Sequence, residues 1–97
     1  MKKTDTAGMK RQVKELQRAM GTLGPVMRGS LVVIGTRNKQ PYFSLNKDKK
    51  TRLIYLGKRR EKLAKRLAAN YKRLQEIVEE MTELNMILLK HDYEQET

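Results

Sequence analysis

The stretch from about Arg59 to Lys90 constrains the fold more than any other part of the chain. More than thirty residues pass there without Gly or Pro, and the residues that dominate it lose little free energy on entering a helix. Apolar residues recur at spacings of three, four and seven: Leu63, Leu67, Leu74, Ile77, Met81, Leu84 and Leu88. Asn70 occupies the one missing heptad position. The pattern predicts a long C-terminal helix over 58–90, about 45 Å in length, whose apolar stripe something must cover.

A shorter helical stripe precedes it near the N-terminus. Its apolar residues recur at spacings of four and three: Met9, Val13, Leu16, Met20 and Leu23. Two glycines and a proline follow at 21–25, which predicts a helix over 9–24 after a flexible start at 1–8. The other face of this helix is basic, and either phosphate contact or simple solvation explains it: Lys10, Arg11, Lys14 and Arg18.

Between the two helices, residues 28–57 have the pattern of a small sheet. Three β-rich runs at 30–34, 41–45 and 51–56 are separated by turns of about five residues. This predicts an antiparallel meander with one face covered by the long helix. Alternation puts Phe43 and Leu45 on one face and Tyr42 and Ser44 on the other, and leaves open which pair is buried. The predicted fold is therefore α+β, a single small domain with a polar tail at 91–97.

The charge is unevenly distributed along the chain. Of 22 basic and 11 acidic residues, 21 basic and 4 acidic lie in 1–75, a net charge of +17. Residues 76–97 hold 1 basic and 7 acidic groups, a net charge of −6. Such a field attracts polyanions, which predicts a nucleic-acid-binding protein, although many small proteins are simply basic. The charge split and the basic hairpin tips favour double-stranded DNA over RNA. One Phe, four Tyr and no Trp provide few stacking platforms, which argues against a single-strand binder.

The predicted nucleic-acid contacts lie in the two turns and at the start of the long helix. Basic residues at a helix start oppose the helix dipole, so helix stability does not explain them. Solvated turn residues are the alternative interpretation for the hairpins. The predicted contact residues are Arg37, Lys47, Lys49, Lys50, Arg52, Lys58, Arg59 and Arg60.

The sequence offers little support for catalysis, metal binding or a cofactor. There is no Cys, and the single His, His91, does not make a metal site. Four carboxylates at helical spacing indicate an acidic helix face rather than a catalytic set: Glu76, Glu79, Glu80 and Glu83. We therefore expect no enzyme and no small-molecule substrate. No run of 18 apolar residues exists, so we expect a cytoplasmic protein without a membrane partner.

The far end of the long helix predicts self-association. Six residues of the window 81–89 are apolar, more than the first helix can readily cover, and exposed patches of this kind are rare on monomers. We expect a homodimer or a protein partner through Met81, Leu84 and Leu88, unless the first helix folds back over them. The alternative function that follows is a protein-binding adaptor or inhibitor acting through the long helix.

Several short motifs occur in a recognisable order: Arg28-Gly29-Ser30-Leu31, Pro41-Tyr42-Phe43-Ser44-Leu45 and Lys50-Thr51-Arg52-Leu53-Ile54-Tyr55. Over 27–90 the chain resembles a family of small uncharacterised prokaryotic proteins often found beside transposases. The resemblance implies a sheet followed by a helix and a mobile-element or phage context, but no activity. Two departures matter. The family's Cys-rich turn is missing at 35–40, so no metal role carries over, and Lys49 stands where the family has Gly, so the second turn is expected to differ.

The same order of sheet and helix is similar to the arm-type DNA-binding domains of tyrosine recombinases. Those domains place a three-stranded sheet in the major groove. The similarity is one of fold alone, and no groove-reading residue follows from it.

Overall fold

The computed structural model describes residues 5–91. They form helix α1 (Thr6–Gly21), strands β1 (Ser30–Ile34), β2 (Gln40–Lys47) and β3 (Lys50–Tyr55), and helix α2 (Gly57–His91). The strands make one antiparallel sheet in the order β1-β2-β3. The predicted α+β fold, with a short helix, a three-stranded meander and a long helix, is confirmed. Of the predicted tail, His91 ends α2 and residues 92–97 lie outside the described part.

The described chain divides into two compact units. The single domain expected from the sequence stays a prediction. The first, here called the helical unit, contains residues 5–23 and 73–91, which are α1 and the second part of α2. The second, called the sheet unit, is Gly24–Lys72 and contains the three strands with the first part of α2.

Helix α1 begins at Thr6, three residues before the predicted start, so Asp5–Gly8 belong to the helix and its cap. The Asp5 carboxylate accepts a hydrogen bond from the Gly8 amide at 2.9 Å. This N-cap satisfies an amide that has no partner inside the helix. At the other end, the helix stops at Gly21 rather than at residue 24, and the amide of the C-cap residue Thr22 donates to the Arg18 and Ala19 carbonyls.

Strand β2 is longer than predicted, β3 has the predicted length but begins one residue earlier, and the turn between them is shorter. Only Asp48 and Lys49 separate them, both with positive φ (54° and 62°). Two such residues form a type I′ turn, whose twist matches that of the flanking strands. The predicted five-residue turn at 46–50 is wrong, because Asn46, Lys47 and Lys50 pair within the ladder.

The core of the sheet unit is built around Phe43, which is 1 % exposed. Phe43 packs with Leu56 and Ala64, and Met27, Leu31 and Ala68 lie against this cluster. The predicted core residue Leu63 is instead 53 % exposed. A Phe ring projecting from a sheet needs a small residue on the facing helix, so Ala64 points inward and the larger neighbour outward.

Two hydrogen bonds attach the segment before β1 to α2. The Asn70 side-chain amide donates to the Pro25 carbonyl at 2.9 Å, and the Met27 backbone amide donates to the Leu67 carbonyl at 3.2 Å. The Asn70 side chain makes a hydrogen bond that an apolar heptad residue could not make, which explains why the heptad is interrupted at this position.

In the helical unit the fully buried residues are Ile77 and Leu88, while the predicted stripe of α1 is half-buried: Met9, Val13, Leu16 and Met20.

Candidate nucleic-acid interface

The register of the sheet settles which face is covered. Leu31, Phe43 and Ile54 lie opposite one another across the three strands. Because Phe43 packs against α2, this is the covered face, although Ile54 on the edge strand stays exposed. The next row, Val32, Tyr42 and Tyr55, lies on the other face. We call that other face the open face.

The second hairpin gathers basic residues at one end of the sheet. Lys47 lies directly opposite Lys50, and the side chain of Arg52 is on the same face two residues further along β3. Like charges directly opposite one another destabilise a strand pair. Lys49 is in the turn itself. The sheet thus forms in spite of this charge arrangement rather than because of it.

Arg28 joins this end of the sheet, and sequence reasoning missed it. Its guanidinium Nη1 donates to the Asn46 carbonyl at 3.1 Å, beside the same hairpin. The sequence signal for Arg28 was the Arg-Gly-Ser motif at 28–30. A short motif does not indicate that its arginine contacts a residue as distant in the sequence as Asn46. We call the resulting group the hairpin cluster: Arg28, Lys47, Lys49, Lys50 and Arg52.

Gly29 explains why the motif needs a glycine. Its φ is 137°, a region that side chains disfavour. A Cβ there would collide with the Phe43 ring and lie 2.7 Å from the Ser44 carbonyl oxygen. The close approach of Gly29 to β2 therefore sets the path by which Arg28 reaches the hairpin.

A second basic group lies at the opposite end of the strands. The β1–β2 connection contains Arg37 and Lys39, and α2 begins beside it because the Leu56 amide bonds the Pro41 carbonyl at 3.0 Å. We call this group the loop cluster: Arg37, Lys39, Lys58 and Arg59. Strand β2 has eight residues, so the two clusters are about 25 Å apart. The predicted contact residues thus form two groups rather than one patch.

Arg60, also predicted as a contact, has structural partners. Its Nε donates to the Leu56 carbonyl at 3.0 Å and its Nη2 to the Tyr55 carbonyl at 2.8 Å. These bonds tie the end of β3 to the start of α2. Removing Arg60 would therefore disturb the fold as well as the charge.

Helix α2 adds two exposed basic residues that sequence reasoning did not assign to the site. Lys62 and Arg66 flank the buried Ala64, and both are exposed. Positions two residues away from a buried helical residue point away from it, so these side chains face away from the sheet. Lys65 is paired with Glu61 at 3.4 Å. In the sequence, the excess of basic over acidic residues in the first half of the helix could have indicated Lys62 and Arg66 as contact residues.

The charge of the molecule lies almost entirely in the sheet unit. Residues 24–72 contain 14 Lys and Arg against two acids, Asp48 and Glu61, for a net charge of +12. The described residues of the helical unit contain six basic and six acidic groups, for a net charge of zero. Within Gly24–Lys72 the structure shows one ion pair, Lys65 with Glu61. The unit's positive charge is therefore largely uncompensated.

The predicted self-association residues are less accessible than expected. Leu88 is 1 % exposed in the single chain, and Met81 and Leu84 are half-buried. Leu84 lines a groove together with Leu16 and Ala19 of α1, so α1 covers this side of α2. Leu88 is thus unsuited to a surface contact. The exposed apolar residues of this part of α2 are Val78, Met86, Ile87 and Leu89.

Two of the four carboxylates singled out in the sequence, Glu76 and Glu80, form surface ion pairs with Arg73. Arg73 lies 3.3 Å from Glu76 and 3.6 Å from Glu80. Across residues 5–91 no three His, Cys, Asp or Glu side chains are grouped in a way that could hold a metal ion. Neither described helix is long and apolar enough to cross a membrane.

Comparison of the chain with family models, with curated proteins and with solved structures finds no match. The resemblance of residues 27–90 to the mobile-element family therefore remains a prediction.

Proposed function

We propose that this protein binds nucleic acid through the cations of the sheet unit. The observation that carries the proposal is the hairpin cluster, where Lys47 and Lys50 face each other and Arg52 and Lys49 adjoin them. None of these four has an ion-pair partner among residues 5–91. A polyanion would relieve their mutual repulsion, and phosphates are its most common source.

The spacing of the clusters favours an extended ligand. The hairpin cluster and the loop cluster are about 25 Å apart along β2, so one small anion cannot bridge them. Duplex DNA carries one negative charge per about 1.7 Å of axis and can contact both. Contacts to phosphates do not depend on base sequence, so this mode of binding is non-specific.

The proposal is tested by measuring duplex affinity as a function of salt. For the wild type, log K for a random duplex should fall linearly with log salt. The triple variant Lys47→Gln, Lys49→Gln and Lys50→Gln should reduce the slope by about 2 to 3, because each lost phosphate contact changes it by about 0.9. Fluorescence anisotropy with a labelled duplex gives both slopes.

A control removes the same charge from the helical unit. Arg11→Gln, Lys14→Gln and Arg18→Gln neutralise three exposed cations of α1. If the sheet unit makes the contacts, this variant keeps the wild-type slope. Equal losses in both triple variants would mean that only total charge matters, and binding insensitive to salt would refute phosphate contact.

The second candidate function is a protein-binding adaptor or inhibitor, favoured by the exposed Val78, Met86 and Leu89. Apolar residues exposed together on one helix are typical of interaction surfaces. Partners that remain in a pull-down after nuclease treatment, and that Met86→Ser with Leu89→Ser releases, would support it. Partners that nuclease removes would instead reflect nucleic acid.

A further inference from the structure

The open face of the sheet carries no charged side chain, although the sheet unit has a net charge of +12. Every Lys and Arg within the strands lies on the covered face, as Lys47, Lys50 and Arg52 do. Leu53 and Tyr55 on the open face are about half exposed, at 50 % and 49 %. The members of the open face are Ser30, Val32, Ile34, Gln40, Tyr42, Ser44, Asn46, Thr51, Leu53 and Tyr55.

Two tyrosines form the centre of this face. Tyr42 and Tyr55 are directly opposite each other on neighbouring strands, with ring centroids 5.5 Å apart and an interplanar angle of 65°. The Tyr55 hydroxyl donates to the Gln40 side-chain carbonyl at 3.1 Å. The ladder and this hydrogen bond hold the rings in place, so a ligand stacking on them loses little side-chain entropy.

The charge of the unit restricts what can cover the open face. A second copy placed face to face would bring two units of net charge +12 together, which is unfavourable. The occupant must instead combine negative charge with apolar surface. A duplex presents phosphates and base edges but keeps its base faces stacked inside, whereas a single strand exposes both phosphates and base faces.

We infer that the open face binds unpaired bases of single-stranded nucleic acid, stacked on Tyr42 and Tyr55. Arg28 and Lys49, which lie outside the strands at the hairpin end, and the loop cluster at the other end bind the phosphates. This inference rests on the proposed function and adds the strand state of its ligand. The small number of aromatics in the sequence argued against single strands, but the sheet brings two of the five together on one face, with Tyr55 about half exposed and Tyr42 half-buried.

The test compares single-stranded and duplex affinity in two Tyr55 variants. Labelled oligothymidylate and a duplex of the same length are titrated at one salt concentration by fluorescence anisotropy. Tyr55→Leu should weaken binding of the single strand by about 5- to 100-fold, the usual effect of losing one stacked base. The same variant should change duplex affinity by less than about 2-fold, because phosphate contacts are intact.

Tyr55→Phe is the matched control, since it keeps the ring and loses only the hydrogen bond to Gln40. It should bind the single strand nearly as well as the wild type. Tyrosine emission provides a second measurement, because no Trp masks it, and stacking should quench it. Circular dichroism confirms that each variant is folded.

Several results would overturn the inference. One is a Tyr55→Leu variant that leaves single-strand affinity unchanged, and another is a variant that loses single-strand and duplex affinity equally. In either case salt-dependent duplex binding would still support the proposed function, and only the stacking would be refuted. Absence of salt-dependent binding to both DNAs by the wild type would refute both proposals. A dimer that Tyr55→Leu dissociates in light scattering would show that a second copy occupies the face.

Discussion

Asp48 and Lys49 form a turn that requires two left-handed residues in succession, yet neither is Gly. Asp tolerates this conformation better than most residues, whereas Lys incurs the full steric cost of its Cβ. The pair Asp-Lys is not a recognised I′ signal, and the preferred second residue is Gly. This is the physical reason why the two-residue turn was not predicted from the sequence.

Lys49 therefore opposes stability, and its replacement tests whether the charge is kept for binding. Lys49→Gly should raise the free energy of unfolding by about 0.5 to 1 kcal/mol, as relief of left-handed strain exceeds the entropy that Gly adds to the unfolded chain. Lys49→Ala removes the same charge but retains the strain, so it should bring no such gain. Urea denaturation followed by circular dichroism measures both. Equal stability of the two variants would contradict the strained turn.

The same pair of variants separates strain from charge in binding. Both lack the Lys49 ammonium, so both should lose the same duplex affinity, whatever their stability. A loss seen in only one variant would mean that the conformation of the hairpin, and not its charge, determines binding.

At the level of elements, the helices and strands were predictable because each has a clear hydrophobic period. Helix α2 has no internal Gly or Pro after Gly57, and β1 to β3 have β-branched or aromatic runs. The buried face was less predictable. The heptad favoured Leu63, but the bulk of Phe43 requires Ala64 and Ala68 opposite it. A pattern within one helix contains no information about the shape of its partner.

The second part of α2 shows the same limit. The heptad predicted Leu84 and Leu88 as contacts between molecules, but Leu88 is buried within the chain. Its replacement by Glu would bury a charge and unfold the helical unit. Self-association stays a prediction, and we expect its contact surface to consist of exposed residues of α2 such as Val78, Met86 and Leu89.

This surface can be tested without disturbing the core. We expect light scattering of the wild type to give twice 11.4 kDa, and Met86→Ser with Leu89→Ser to return the mass of one chain. The helical unit has no net charge in its described residues, so electrostatic repulsion there is small. A wild-type mass of 11.4 kDa at high protein concentration would refute the dimer.

For the whole molecule, the sequence revealed that charge is unevenly distributed, but not its arrangement in space. The division at residue 75 in the sequence becomes a division between the sheet unit, at +12, and a neutral helical unit. Strand direction then separates Arg37 from Lys49 by the length of β2. These positions depend on the topology and register of the sheet, which cannot be read from composition. The residue types of the candidate site were therefore predictable from the sequence, but its geometry was not.

We propose that the sheet unit, and not the basic face of α1, contacts nucleic acid. Amide hydrogen exchange of the full chain, with and without a saturating duplex at low salt, tests it most directly. We expect slower exchange around the β2–β3 turn and in the first turns of α2, with no change in α1. Slower exchange confined to Thr6–Gly21, with the hairpin unchanged, would contradict it.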